Sequence, residues 1–166
     1  MTKISIVTPT FNEEENIEKL CSEIKNEMKK FDYEYEHIII DNSSTDNTVG
    51  KLRKICLEDK NVKVIINTKN FGHIKSPFYG ILQSSGDACI LMASDFQDPI
   101  YLISEFIKKW TEGSKITLAK KKSSKENSLI FNLRKFFYRF LNKISDTKLT
   151  EDTTGSGIFD KSIINK

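Results

Sequence analysis

Asp95, Gln97 and Asp98 are the side chains of this sequence best suited to chemistry. They stand in the run Met92-Ala93-Ser94-Asp95-Phe96-Gln97-Asp98-Pro99, directly after the apolar stretch Ala88-Cys89-Ile90-Leu91. That stretch reads as a buried strand, so the oxygen-bearing residues gather where a strand ends and the chain turns. Carboxylate and amide oxygens suit a hard divalent cation, and such a cation suits a diphosphate. In open α/β sheets, ligands bind outside the carboxyl ends of the strands. Read alone, the same run also serves as a turn with helix-capping aspartates.

The elements that must position this run follow one another in alternation. Lys3 to Thr8 reads as a first strand ended by Pro9, and Asn12 as a helix cap followed by Glu13, Glu14 and Glu15 at the positive end of the helix dipole. Ile17, Leu20, Cys21, Ile24 and Met28 recur at helical spacing. A second strand, His37 to Ile40, runs into Asp41-Asn42-Ser43-Ser44-Thr45-Asp46, which also reads as a polar turn. Val49, Leu52, Ile55 and Cys56 mark a second helix, and Val62 to Ile66 a third strand before a loop through Asn70-Phe71-Gly72. A helix around Pro77 to Ser84 leads to a fourth strand ending at Asp95. Then come a helix near Ile100 to Trp110, a strand at Ile116 to Ala119, a longer helix at about 127–144 and a turn-rich stretch from Thr150 to Asp160. Strands alternating with helices imply an α/β fold: a three-layer α/β/α sandwich around a mostly parallel, Rossmann-like sheet. Residues 1–166 read as a single domain.

Composition narrows the class. The chain has 166 residues, 38% hydrophobic and 30% charged, which is ordinary for a folded domain with a real core. No apolar run approaches the roughly 20 residues that cross a bilayer, and the N-terminus has no secretory layout. Cys21, Cys56 and Cys89 lie far apart in apolar contexts and read as small hydrophobes, not as a disulfide framework or zinc site. His37 and His73 read as a strand and a loop residue without metal-ligand spacing. From Lys108 to Lys143, eleven basic residues meet two glutamates in a chain of net charge +3. That block suits nucleic acid, anionic lipid or a phosphorylated acceptor. No glycine fingerprint of a dinucleotide fold and no Walker-type Gly-Lys-Ser/Thr is present, so a nucleotide held by carboxylates and a metal fits better.

Four segments make the family recognisable: Ser5-Ile6-Val7-Thr8-Pro9-Thr10-Phe11-Asn12-Glu13-Glu14, Ile40-Asp41-Asn42-Ser43-Ser44-Thr45-Asp46-Asn47-Thr48, Asn70-Phe71-Gly72, and Ser94-Asp95-Phe96-Gln97-Asp98-Pro99. Thr154-Gly155-Ser156-Gly157-Ile158-Phe159-Asp160-Lys161 is a weaker fifth. The chain resembles the inverting family-two glycosyltransferases, which have a GT-A type fold. Within them it looks most like the branch that glycosylates polyprenyl or dolichyl phosphates. The resemblance implies that Pro9, Phe11, Glu13, Asp41, Asn70 and Ser94 bind the nucleotide. It gives Asp41 a hydrogen bond to the base, and Asp95 with Gln97 the Mg2+ or Mn2+ that bridges the donor phosphates. Asp152, beside Glu151, is carried over as a catalytic residue at the reaction centre together with Asp95. Lys120, Lys121 and Lys122 stand where relatives carry arginines that meet the acceptor phosphate, so Lys120 and Lys122 become acceptor candidates; the run also reads as plain solvated surface.

Two positions depart from the family pattern: Ala93 replaces the first aspartate of its Asp-x-Asp motif, and Asn42 stands where an aspartate is common. The implied partners are a nucleotide-diphosphate sugar donor, a polyprenyl phosphate or glycan acceptor, and a membrane surface, with no nucleic acid. The implied location is cytoplasmic, at the inner face of the cytoplasmic membrane. Leu129, Leu133, Phe136, Phe137, Phe140, Leu141 and Ile144 form a stripe that either packs on its own sheet or lies in a membrane interface. Relatives in the branch continue past this domain into membrane helices, so the chain reads either as an excised catalytic domain or as a soluble relative. Transfer to a saccharide hydroxyl, and a non-catalytic nucleotide-sugar-binding domain, are the competing functions.

Overall fold

The structure is a computed structural model that describes residues 2–120 and 153–165. The long helix at 127–144, with its apolar stripe, and Lys121, Lys122, Glu151 and Asp152 lie outside the described residues. Residues 1–118 and 155–166 form one compact unit, and Ala119–Thr154 form another.

The elements run β1 (Lys3–Thr10), α1 (Ile17–Met28), β2 (Glu34–Asp41), α2 (Thr48–Glu58), β3 (Val62–Ile66), α3 (Gly72–Leu82), β4 (Ala88–Leu91), α4 (Leu102–Thr111), β5 (Ile116–Lys120), β6 (Thr153–Asp160) and α5 (Lys161–Ile164). The sheet has the order β3-β2-β1-β4-β6-β5. β1 pairs in parallel with both β2 and β4, and β2 with β3. The expected mostly parallel α/β sheet is therefore present. α3 rests on β1, β2 and β4, α2 packs on β3 and α4 on β4, and α1 packs against both α2 and α4.

Burial follows the pleat. Val7, Ile38, Ile40 and Cys89 form a core cluster toward α3, with Ile65, Ile81, Leu91 and Ile164 packed against it. Ile4, Ile6, Ile39 and Ile90 alternate with these and are fully buried on the opposite face. α3 approaches so closely that a Cβ on Gly80 would come within 2.7 Å of Val7 Cγ1. Any larger residue there would push α3 off the sheet.

Three local expectations are corrected. The turn-rich stretch after Thr150 is an eight-residue strand, β6, antiparallel to β4, with Ile90 opposite Ile158. Gly157 permits it: a Cβ there would fall 2.6 Å from the Thr117 carbonyl oxygen of β5. α3 starts at Gly72 rather than near Pro77, which sits inside the helix, so His73 belongs to a helix and not a loop. Asn12 does not cap α1, which begins at Ile17. Instead, Asn16 N and Ile17 N both donate to the Glu13 carbonyl.

Glu36 and His37 are titratable groups buried inside this frame. Glu36 accepts from Ser5 Oγ at 2.6 Å, Lys63 Nζ at 2.6 Å and Ser85 N at 2.7 Å. Burial alone would raise its pKa, but these bonds outweigh it and hold the carboxyl down at about 2. His37 is buried in β2, with Nε2 2.9 Å from Thr8 Oγ1. Desolvation pushes its pKa down to about 4, against a small upward pull from Asp59. The unfolded chain therefore takes up a proton near pH 6.5 that the folded chain refuses. Stability is full above pH 6.5 and falls toward pH 4, by about 3 kcal/mol in all. Denaturant midpoints measured between pH 7.5 and 4.5 should show that decline, and His37→Gln should flatten it. A wild-type midpoint constant across the range would contradict the placement of a neutral, buried His37.

Candidate functional site

Strand order reverses at β1. β2 and β3 are added on one side of it and β4 on the other, so the loops leaving β1 and β4 diverge. A cleft of about 390 Å3 opens there, between Pro9 to Glu13 at the end of β1 and Ala93 to Asp95 after β4. Asn42, Asn70 and the first turns of α3 complete its lining. β1 extends beyond the last residue that pairs with β4, Val7 opposite Leu91. Pro9 therefore does not end the strand. Its carbonyl faces the side β4 has vacated and accepts from Ser94 Oγ at 3.1 Å. Its missing N–H falls on that same open side and costs no ladder bond.

The loop after β1 is fastened to the loop after β2 by polar contacts. Asn12 takes a positive φ of 54°. In that conformation its N–H donates to Ser44 Oγ at 2.9 Å and its Oδ1 accepts from Thr45 N at 2.8 Å. Glu13 N donates to Thr48 Oγ1 at 2.9 Å, and Glu14 N to Asp46 at 3.1 Å. The Glu13 carboxylate accepts from Asn16 Nδ2 at 2.7 Å. Phe11 is left exposed at the rim of the cleft. The acidic residues expected to favour a helix dipole thus serve as a bridge between two loops.

Asp41 and Asn42 divide their work in a way the sequence does not announce. Asp41 is fully buried and both its carboxylate oxygens accept from Ser44, one from the backbone N–H at 3.0 Å and one from the hydroxyl. It is not among the residues lining the cleft. In this structure the carboxylate is engaged with its own turn. Asn42 lines the cleft instead. Its Nδ2 donates to Asn70 Oδ1 at 2.8 Å, and its Oδ1 accepts from Phe71 N at 2.9 Å and Asn67 Nδ2 at 3.2 Å. Asn67 Nδ2 also reaches Ser76 Oγ at 3.0 Å, and Asn70 Oδ1 accepts from Gly72 N at 2.8 Å. One amide thus joins the ends of β2 and β3 to the start of α3.

Asp95 is exposed at the mouth of the cleft. Gln97 binds it twice, from its backbone N–H at 3.1 Å and from Nε2 at 2.7 Å. Between them Phe96 takes a φ of 56°, with Lys19 Nζ 5.0 Å from its ring centroid. A bulky residue in that conformation is strained. Here it turns Asp95 and Gln97 toward each other. Among the described residues, no three His, Cys, Asp or Glu side chains gather to hold a metal. The donor set is one carboxylate with the Gln97 side-chain amide beside it, and Ala93 adds no side-chain oxygen. That set fits Mg2+ or Mn2+, which keep several waters and take further oxygens from substrate phosphates.

Residues 5–166 match the family described as Glycosyl transferase family 2. The chain belongs to this family. As a family-two member it is 33% identical over 163 residues to the bactoprenol glucosyl transferase of Shigella phage SfV, covering 98% of this chain and 53% of that protein. It is 29% identical over 162 residues to the putative glycosyltransferase CsbB of Bacillus subtilis, covering 98% of this chain and 49% of CsbB. The chain spans about half the length of the curated relatives it matches. Among solved structures, it resembles S. aureus TarS in complex with UDP-GlcNAc, with TM-score 0.54 and 26% identity over 76% of this chain and 36% of that one. The fold also matches glucosyl-3-phosphoglycerate synthase from Mycobacterium tuberculosis in complex with Mn2+, UDP-glucose and phosphoglyceric acid. There the TM-score is 0.67 at 19% identity, over 98% of this chain and 58% of that one.

For this family-two chain the structure brings Pro9, Phe11, Glu13, Asn70, Ser94 and Asp95 to one cleft. Gln97 stands beside it through Asp95. Lys120 is exposed at the end of β5. Sequence reading missed Thr10, the last residue of β1, and Gly72, His73, Ser76 and Pro77, which line the cleft because α3 begins earlier than expected. Asn42→Asp would set a carboxylate oxygen against Asn70 Oδ1, which cannot turn away without losing Gly72 N. Denaturant unfolding should show a loss of about 1–3 kcal/mol, the scale of a broken buried polar contact. Unchanged stability would remove Asn42 from its place at the centre of this network.

Proposed function

We propose that this chain is a catalytic domain that transfers a sugar from a nucleotide-diphosphate sugar, with inversion, to a polyprenyl phosphate. The observation that carries this reading is the cleft at the β1/β4 reversal, where aromatic, amide and carboxylate side chains meet in a family-two chain. The name bactoprenol glucosyl transferase, borne by relatives aligned over 98% of this chain, supports the lipid-linked acceptor. The reading takes residues 1–166 as one catalytic domain acting at the cytoplasmic face of a membrane. Among the described residues no helix is long and apolar enough to cross one.

In this proposal Phe11 and Pro9 flank the base and ribose, and Asn70, fixed by Asn42, borders them. Glu13 and Ser94 line the same pocket, and Asp95 with the Gln97 carbonyl holds Mg2+ or Mn2+ against the diphosphate. When bound, the ion offsets the charge that builds on the leaving diphosphate. A phosphate acceptor is already an anionic nucleophile. It needs placement opposite the leaving group more than it needs a base. Lys120 and Lys122 are the proposed contacts for that phosphate, and Asp152 the carboxylate nearest the reacting centre. The TarS and glucosyl-3-phosphoglycerate synthase complexes with UDP-sugars support a nucleotide donor.

Incubation with radiolabelled nucleotide sugars, Mn2+ and polyprenyl phosphate, followed by thin-layer separation, tests the reading. A labelled lipid is expected, and Asp95→Ala should lower its rate about a hundredfold or more while leaving the unfolding transition in place. A labelled glycan without lipid product would favour a saccharide acceptor, and donor binding without product a non-catalytic domain. Full turnover by Asp95→Ala with unchanged metal dependence would refute the metal assignment.

A further inference from the structure

α3 carries two faces of opposite character. Ser76, Pro77 and Gly80 are buried, the last against β1, and Ser76 and Pro77 also line the cleft. On the other side Phe71, Ile74, Phe78 and Leu82 are 42%, 72%, 60% and 50% exposed. Their spacing of three and four residues makes them one continuous ridge. Beside the ridge, between α3 and the sheet-edge strand β3, a cavity of about 430 Å3 is lined by Ile65, Ile66, Phe71 and Tyr79, with Lys75 at its wall. Aromatic and aliphatic side chains exposed this contiguously mark a surface that another body covers.

Charge decides which body. From Asn61 to Gly86 the sequence holds no aspartate or glutamate, whereas Lys69 and Lys75 fall within it, beside a Lys63 that is paired with Glu36. Lys69 lies against the Phe71 ring, Nζ 5.3 Å from its centroid. A second copy of this chain meeting the ridge about a two-fold axis would bring Lys69 and Lys75 toward their own counterparts. An anionic bilayer does the reverse. Its headgroups take the lysines while their alkyl stems, with Phe, Tyr and Ile, enter the interface.

We propose that the outer face of α3, with the cavity beside it, docks on an anionic lipid bilayer. The choice of a bilayer rests on the lipid-carrier reading above and adds to it residues that lie outside the basic block 108–143 in sequence. Because the inner face of α3 lines the cleft, docking its outer face would hold the cleft beside the headgroups, where a lipid-linked phosphate is presented.

Flotation of the full chain with vesicles of phosphatidylcholine alone, or with phosphatidylglycerol at one part in three, tests the surface. Wild type should bind the anionic vesicles and lose them at high salt. Ile74→Ser with Phe78→Ser should weaken that binding about tenfold or more, and Lys69→Gln with Lys75→Gln should do so only where phosphatidylglycerol is present. Transfer to a detergent-solubilised polyprenyl phosphate reports separately on the catalytic reading, and the Ile74/Phe78 variant should match wild type there. Vesicle binding unchanged in both double variants would overturn the proposal. So would a wild-type dimer that the Ile74/Phe78 variant dissolves without losing lipid.

Discussion

Everything at the candidate site depends on one mismatch of lengths: β1 runs to Thr10, while the β4 beside it stops at Leu91. Met92 N still reaches the Val7 carbonyl at 3.0 Å, but beyond that point the chain leaves the sheet. The gap exposes the last carbonyls of β1 to side chains instead of a strand, and Ser94 takes the one on Pro9. A longer β4 would fill the crevice with backbone. A shorter β1 would leave Phe11 and Glu13 too low in the sheet to border it. Parallel pairing on both sides of β1 fixes these heights, because register with β2 and β4 ties every side chain to one face.

The loops around the crevice are held mostly by short polar side chains rather than by hydrophobic burial. Asn12, Ser44, Asp46 and Thr48 knit the exits of β1 and β2, whereas Asn42, Asn67, Asn70 and Ser76 knit β2, β3 and α3. No side-chain polar atom buried among the described residues lacks a partner. Such networks are stiff when every member is satisfied. They explain why the strand-end segments are rich in asparagine, serine and threonine. Phe11 and Asp95 remain exposed in the lining, together with Asn70 and His73, where a ligand can reach them.

Much of the architecture was legible. Strands with apolar runs, such as Val62 to Ile66 and His37 to Ile40, and helices with strong periodicity, such as the one containing Ile17 to Met28, were located closely because burial dictates their pattern. β6 was hidden because Gly155 and Gly157 read as turn signals; Gly157 is there for a close approach to β5. α3 was misplaced at its start because a proline argues against a helix interior, yet here the helix continues through Pro77. At the site, six of the expected nucleotide and metal residues converge because each stands at or shortly after the end of a strand. Asp41 follows the same rule of position but lies outside the cleft lining. A carboxylate at a strand end can serve its own turn, and no pattern in sequence separates that use from ligand contact.

A crystal structure with Mn2+ and a nucleoside diphosphate tests the central claim most directly: that one cleft at the β1/β4 reversal grips a diphosphate through Asp95. The diphosphate should lie between the Pro9 to Glu13 segment and Asp95, with Mn2+ on the Asp95 carboxylate. Nucleotide bound elsewhere, or bound in the cleft with Asp95 turned away from the metal, would contradict it.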